Sequence, residues 1–128
     1  MTNDSVCRSP EKPFPSIVKG VELSDFDADR QLLDLPGVSL LVFTSPGCAS
    51  CRFARQALPA LELPVDRLCW IDAGDNGGLV QRYEVFHLPA LFVVRDGEFQ
   101  GALRAPLARR ELVEALHQAL ARIPEELP

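Results

Sequence analysis

The stretch FTSPGCASCRFARQALPAL, Phe43 to Leu61, separates Cys48 from Cys51 by two residues, where an apolar run gives way to a helical pattern. Upstream, VSLLVFT (Val38 to Thr44) is continuous and β-rich, the mark of a strand buried on both faces and therefore central. Downstream, Phe53, Ala54, Ala57, Leu58 and Leu61 recur three or four apart and predict a helix, which Pro59 should kink or shorten. Spacing alone leaves three readings of the cysteine pair open: a redox couple, half of a metal site, or two buried thiols that happen to be neighbours.

The flanking sequence supplies a strand, helix, strand unit around that pair. LCWIDA, Leu68 to Ala73, is a second buried-strand candidate, followed by a loop and short helix in DNGGLVQRYEV. PALFVVRDGEFQGALR predicts a hairpin, Leu91 to Arg95 and Glu98 to Leu103, joined at Asp96-Gly97, a favoured two-residue turn. A last helix over about Ala108 to Arg122 gathers Leu112, Val113, Leu116, Ala119, Leu120 and Ile123 on one face. Before the pair, a short strand is expected from about Ile17. Ser24 or Asp25 should then cap a helix whose apolar faces are Phe26, Leu32, Leu33 and Leu35, with Pro36-Gly37 as the stop. Residues 1–16 carry Pro10, Pro13 and Pro15 and are expected to form a flexible arm, 17–123 one domain, and 124–128 a C-terminal tail. The expected class is α/β, a mixed sheet with helices on both faces.

Composition narrows the function. At 128 residues the chain is long enough to bury a core without disulfide staples, and 47% hydrophobic with 24% charged residues fits a globular domain. No apolar run approaches the roughly 20 residues that span a bilayer, and the N-terminus lacks the pattern of a secretory signal, so a cytoplasmic protein away from membranes is expected. A net charge of −5 disfavours nucleic acid as a partner, because phosphate binding needs clustered basic surface. Four cysteines are too few for a disulfide framework and fit a reducing compartment, where C-x-x-C beside a βαβ pattern points to redox chemistry.

If the helix starts near Cys48, its unpaired N–H groups and the positive end of its dipole favour the Cys48 thiolate. A free cysteine has a pKa near 8.5, and C-x-x-C pairs at such ends fall to roughly 3.5–7.5. Cys48 is then the attacking sulfur and Cys51, one turn in, the resolving one, with Arg52 and Arg55 expected to add favourable charge. Zinc wants four ligands, and the chain has no second C-x-x-C and no H-x-x-x-H, so no metal is expected. Cys69, within an apolar strand, reads as a packed small hydrophobe and Trp70 as core, while Cys7 on the arm is open to incidental oxidation. His117, on the final helix, has no evident partner.

Pro89 in FHLPALFVV lies just before a strand and after a short helix. With the C-x-x-C helix upstream, that order resembles the thioredoxin superfamily over roughly Ile17 to Leu120. The resemblance implies a three-layer α/β/α thioredoxin fold in which Pro89 is cis and faces the cysteines. It also implies that the backbone of Leu88 pairs with a bound substrate chain. Glutaredoxin is a poorer match, since C-P-Y-C and T-V-P are replaced by CASC and HLP.

Departures from the family pattern bear on mechanism. Thioredoxins carry W-C-G-P-C, whereas here Gly47 precedes the pair and Ala49-Ser50 separates it, at the intervening dipeptide that tunes the potential in that family. Val42 stands where a buried aspartate assists the second cysteine, and Leu68 stands where that aspartate has a lysine partner. Thr44 replaces an aromatic, and His87 replaces a glycine. His87 is either a surface or packed imidazole or, facing the cysteines, a group that stabilises the Cys48 thiolate or moves protons in place of the missing carboxylate. The expected function is thiol-disulfide exchange through Cys48 and Cys51 that contributes to cell redox homeostasis. It would need no cofactor, act as a monomer on disulfide-containing proteins, and draw electrons from a reductase or small thiol. The alternative is a thioredoxin-fold binding or redox-sensing module with little turnover.

Overall fold

A computed structural model describes residues 19–128. Within them the order is β1 (Lys19–Leu23), α1 (Ala28–Asp34), β2 (Val38–Thr44), α2 (Ala49–Ala60), β3 (Arg67–Asp72), α3 (Gly77–Arg82), β4 (Ala90–Arg95), β5 (Glu98–Leu103) and α4 (Arg109–Leu120). The five strands form one sheet in the order β1-β3-β2-β4-β5, with β1, β3 and β2 parallel and β4 and β5 antiparallel to their neighbours. The most apolar strand, β2, is at the centre, as its composition demands.

Strand alternation divides the core in two. Leu40, Val42, Leu68, Trp70, Leu91 and Val93 pack on the face that also holds Ala54 and Leu58 of α2 and Leu112 and Leu116 of α4. Leu41, Phe43, Cys69, Ile71, Phe92 and Val94 pack on the other, with Ala28 and Leu32 of α1 and Leu79 of α3. The result is a three-layer α/β/α sandwich. On the α1/α3 face Phe43 meets Tyr83 and Phe92, each at 5.6 Å between ring centres, and Phe99 extends the cluster at 5.7 Å from Tyr83.

Several expectations at element ends are corrected. Neither Ser24 nor Asp25 caps α1: the Asp27 carboxylate accepts the Ser24 N–H at 2.9 Å, and the helix begins at Ala28. Asp25 instead reaches the start of α3, where its carboxylate accepts the N–H groups of Leu79 at 2.9 Å and Gly78 at 3.2 Å. Phe26, placed before the helix, is 99% exposed, and Leu33 and Phe53 also face outward. Pro59 lies in the last turn of α2, which continues one residue beyond it to Ala60. The final helix ends at Leu120, leaving Ile123 exposed. Beyond it, the C-terminal tail lies against the sheet: Phe99 and Glu125 exchange backbone hydrogen bonds of 2.7 and 2.9 Å, and Leu127 packs against the α1/α3 face.

The hairpin turn has positive φ at both Asp96 (53°) and Gly97 (82°), the geometry that matches the twist of the flanking strands. Further along, the β4–β5 register shifts between Val93 and Val94, so β5 carries an extra residue opposite that step. There Gln100, almost wholly buried, donates from Nε2 to the carbonyls of Ala119 at 2.9 Å and Arg122 at 3.1 Å. The Ala119 carbonyl also accepts the Arg122 N–H at 3.1 Å, so Gln100 adds a second donor to it and reaches the Arg122 carbonyl beyond the end of α4.

Candidate active site

At the C-terminal end of β2 the chain turns through Ser45, Pro46 and Gly47 into α2. Cys48 is the N-cap residue, with extended backbone (φ −103°, ψ 118°), and its side chain stays outside the helix. Its sulfur accepts the backbone N–H of Cys51 at 3.2 Å, and its carbonyl accepts that of Arg52 at 3.1 Å. A sulfur so placed replaces the hydroxyl or carboxylate that usually caps a helix, and meets an N–H with no partner inside the helix. The Ser50 hydroxyl lies 3.4 Å from the same sulfur.

The two thiols differ in environment. Cys48 is partly exposed, whereas Cys51 is buried among α2 and the sheet, 1% exposed. Hydrogen bonding from the Cys51 side chain, then from Ser50, holds the Cys48 thiol below its ordinary pKa. Burial, followed by the hydrogen bond to Cys48, pushes Cys51 up to about 11. One sulfur is therefore ready to attack and the other is held as a thiol, both free in this structure. Cys69 is fully buried in β3, pushed to about 11 by burial, and sits with the core residues of the α1/α3 face.

Across the pair stands the turn before β4. The Leu88–Pro89 bond is cis, and the carbonyl of Leu88 lies 4.0 Å from the Cys48 sulfur, within reach of the thiol hydrogen. Gly47 and Ala49 are exposed beside Cys48. His87 is exposed and lines a groove of about 520 Å³ with Phe86, Arg104 and Glu126; among the described residues it makes no hydrogen bond to either cysteine. His117 is exposed in the last turn of α4, and Cys7 lies outside the described residues.

The two arginines have different partners. Arg52 donates to the Pro46 carbonyl at 3.2 Å and holds the loop that leads into the helix. Arg55 is engaged elsewhere: it forms a two-pronged pair with Glu22 of β1 at 2.9 and 3.2 Å, and its guanidinium stacks 4.3 Å from the Trp70 ring centre. Its charge is thus matched by Glu22. Sequence reasoning missed Glu22 and Asp72. Asp72 ends β3 directly opposite Thr44 and, with Thr44 and Cys51, lines a pocket behind the resolving sulfur. Its one sequence signal was its position as the last residue of an apolar strand next to β2.

Among the described residues no three His, Cys, Asp or Glu side chains gather as a metal site, and no helix is long and apolar enough to cross a membrane.

No family model matches the chain. It is 32% identical over 102 residues, 75% of its length, to protein disulfide-isomerase A3 of Gallus gallus, and spans 20% of that protein. Likewise it spans 16% of protein disulfide isomerase-like 1-3 of Arabidopsis thaliana, at 30% identity. Among solved structures, a mutant thioredoxin from Halobacterium salinarum superposes with a TM-score of 0.68 over 85% of this chain and 97% of that one, at 21% identity. The J-Trx1 fragment of ERdj5 gives 0.64 over 80% of this chain and 52% of that one, at 22% identity. These structures share the fold. Thioredoxin of Staphylococcus epidermidis is 30% identical over 81 residues, 61% of this chain and 76% of its own length, and on that match the chain belongs to the thioredoxin family.

Proposed function

We propose that the chain is a dithiol-disulfide oxidoreductase in which Cys48 attacks and Cys51 resolves. The observation that carries this reading is the asymmetry of the pair: a partly exposed sulfur capping a helix, one turn from a buried thiol. The Cys48 thiolate attacks a substrate disulfide, forming a mixed disulfide and releasing one substrate thiolate, which takes a proton from water. Cys51 then loses its proton and attacks the Cys48 sulfur. The Cys48–substrate bond breaks, the second substrate thiol leaves, and a Cys48–Cys51 disulfide remains, two electrons having passed to the substrate. The carbonyl of Leu88 and the ring of Pro89 would border an extended substrate segment, with Gly47 and Ala49 leaving room for it.

The partners this requires are disulfide-containing proteins and a reductase or small thiol that restores the dithiol. The same reading has it act as a monomer that contributes to redox homeostasis in the cytoplasm, a reducing compartment that the sparse cysteine content supports. The other reading, a binding or redox-sensing module, draws on Val42: a fully buried apolar side chain stands at the position where the resemblance to thioredoxins implies a carboxylate.

The deciding experiment equilibrates the protein in graded thiol/disulfide buffers, traps free thiols by alkylation and reads the pair by mass. A reversible two-electron transition near about −270 mV supports a reductase, and one nearer about −120 mV an oxidant or sensor. A pair that never forms a disulfide overturns the oxidoreductase reading.

A further inference from the structure

Resolution of the mixed disulfide requires Cys51 to give up a proton, and its surroundings make that costly. Val42, fully buried on the face of β2 that α2 covers, offers no proton acceptor. The next residue on the same face of β2 is Thr44, at the strand end, paired in register with Asp72 of β3. Trp70 and Asp72 likewise share a face, the one that α2 covers. Thr44, Ser45, Asp72 and Cys51 line a pocket of about 240 Å³, far above the ~10–15 Å³ that one water needs. The Asp72 carboxylate is fixed at its wall, because Oδ1 accepts the Gly74 N–H at 2.8 Å. Its strand end is tied down as well: the Asp72 carbonyl accepts Nδ2 of Asn76 at 2.8 Å, and Ala73 N–H donates to the Thr44 carbonyl at 2.8 Å.

We propose that Asp72, acting through water held between Thr44 and Cys51, accepts the proton that Cys51 loses during resolution. This rests on the exchange mechanism above and adds the step it lacked. The Cys51 S–H bond breaks, the proton passes through water to the Asp72 carboxylate and on to bulk solvent, and the freed electron pair forms the bond to Cys48 as the substrate sulfur departs. Asp72 touches water and not sulfur, so it is a positioning residue for the proton. The charged groups around Cys51 are Cys48, Arg52 and Arg55 from the helix side and Asp72 from β3; Arg55 is already matched by Glu22. With the thiol at about 11, roughly one molecule in ten thousand would be ionised at pH 7 without help. A base one water away is therefore of use.

The test uses the reduced full chain, with Cys7→Ser to limit the signal, mixed with a chromogenic aromatic disulfide. The first release of chromophore reports attack by Cys48, and the second reports resolution by Cys51. Asp72→Asn retains the acceptor for Gly74, and is expected to leave the first release unchanged while slowing the second by about a hundredfold at pH 7. The deficit should close near pH 11, where Cys51 ionises unaided. Asp72→Glu should restore much of the rate, and Thr44→Phe, which fills the pocket, should slow the second release alone. A second release in Asp72→Asn with the wild-type rate and pH profile overturns the assignment, as does a deficit that persists at pH 11. A wild type that gives no second release at all overturns the exchange mechanism itself, a distinct result.

Discussion

The sulfur of Cys48 accepts the backbone N–H of Cys51 at 3.2 Å, so the nucleophile caps the helix that carries its resolving partner. That contact explains why two cysteines on one short segment differ in chemistry. The first meets the open N–H end of α2, and the second enters the apolar layer between α2 and the sheet.

Ser50 adds the one side-chain hydroxyl within reach of the Cys48 sulfur among the described residues, at 3.4 Å. Ser50→Ala removes a donor to the thiolate and should raise the Cys48 pKa. Iodoacetamide alkylation of Cys48 at neutral pH is expected to slow by about two- to tenfold, the range one net hydrogen bond spans. Rates followed by mass across pH 5 to 10 check this, and a titration curve superimposable on wild type would refute it.

Arg55 supplies the opposite expectation. Its charge is matched by Glu22 and its plane covers Trp70, so Arg55→Ala should leave the alkylation profile of Cys48 where it was. Both partners of the pair are well exposed, and the loss of stability should be about 1 kcal/mol or less in urea unfolding. A marked rise in the Cys48 pKa would show that this guanidinium reaches the thiolate after all.

What could be read in advance follows from how local each signal is. The β2 run, the C-x-x-C at a helix start and the Asp96-Gly97 turn depend on neighbours in sequence, and each stands where periodicity or turn chemistry put it. Asp25 was assigned to the adjacent helix because capping was sought nearby, whereas its carboxylate caps α3, more than fifty residues on. The Arg55–Glu22 pair was equally out of reach, since nothing in the sequence shows Glu22 brought beside α2 by the β1–β3 pairing. The pocket between Thr44 and Asp72 exists only once β2 and β3 lie in register.

Gln100 offers a stability test on a feature only tertiary structure creates. Gln100→Ala removes the buried donor to Ala119 and Arg122 and leaves their carbonyls under β5 without that partner. A loss of about 1–3 kcal/mol is expected in chemical denaturation. Leu116→Ala, a pure packing change on the same helix, should cost about 2–5 kcal/mol. If Gln100→Ala were neutral, water would have to replace both bonds.

Alkaline stability should depend on redox state, and the sign follows from the thiols. Cys51 and Cys69 are both pushed up to about 11 by burial, from an ordinary value of 9.0. Below pH 9 each is protonated in folded and unfolded chains alike, and the pH dependence is flat. Between pH 9 and about 11 the unfolded chain ionises while the folded one does not, so stability falls as pH rises through that window. Cys48 works in the other sense, since its lowered pKa lets the folded chain ionise first, and that gain is complete by pH 9. Forming the Cys48–Cys51 disulfide removes both of these groups and leaves Cys69, so the oxidised protein should lose less stability from pH 9 to 11 than the reduced one. Urea midpoints of the two forms at pH 8, 9, 10 and 11 measure the difference. Parallel curves would mean that Cys51 ionises as readily in the fold as in the open chain, contrary to its burial behind Cys48.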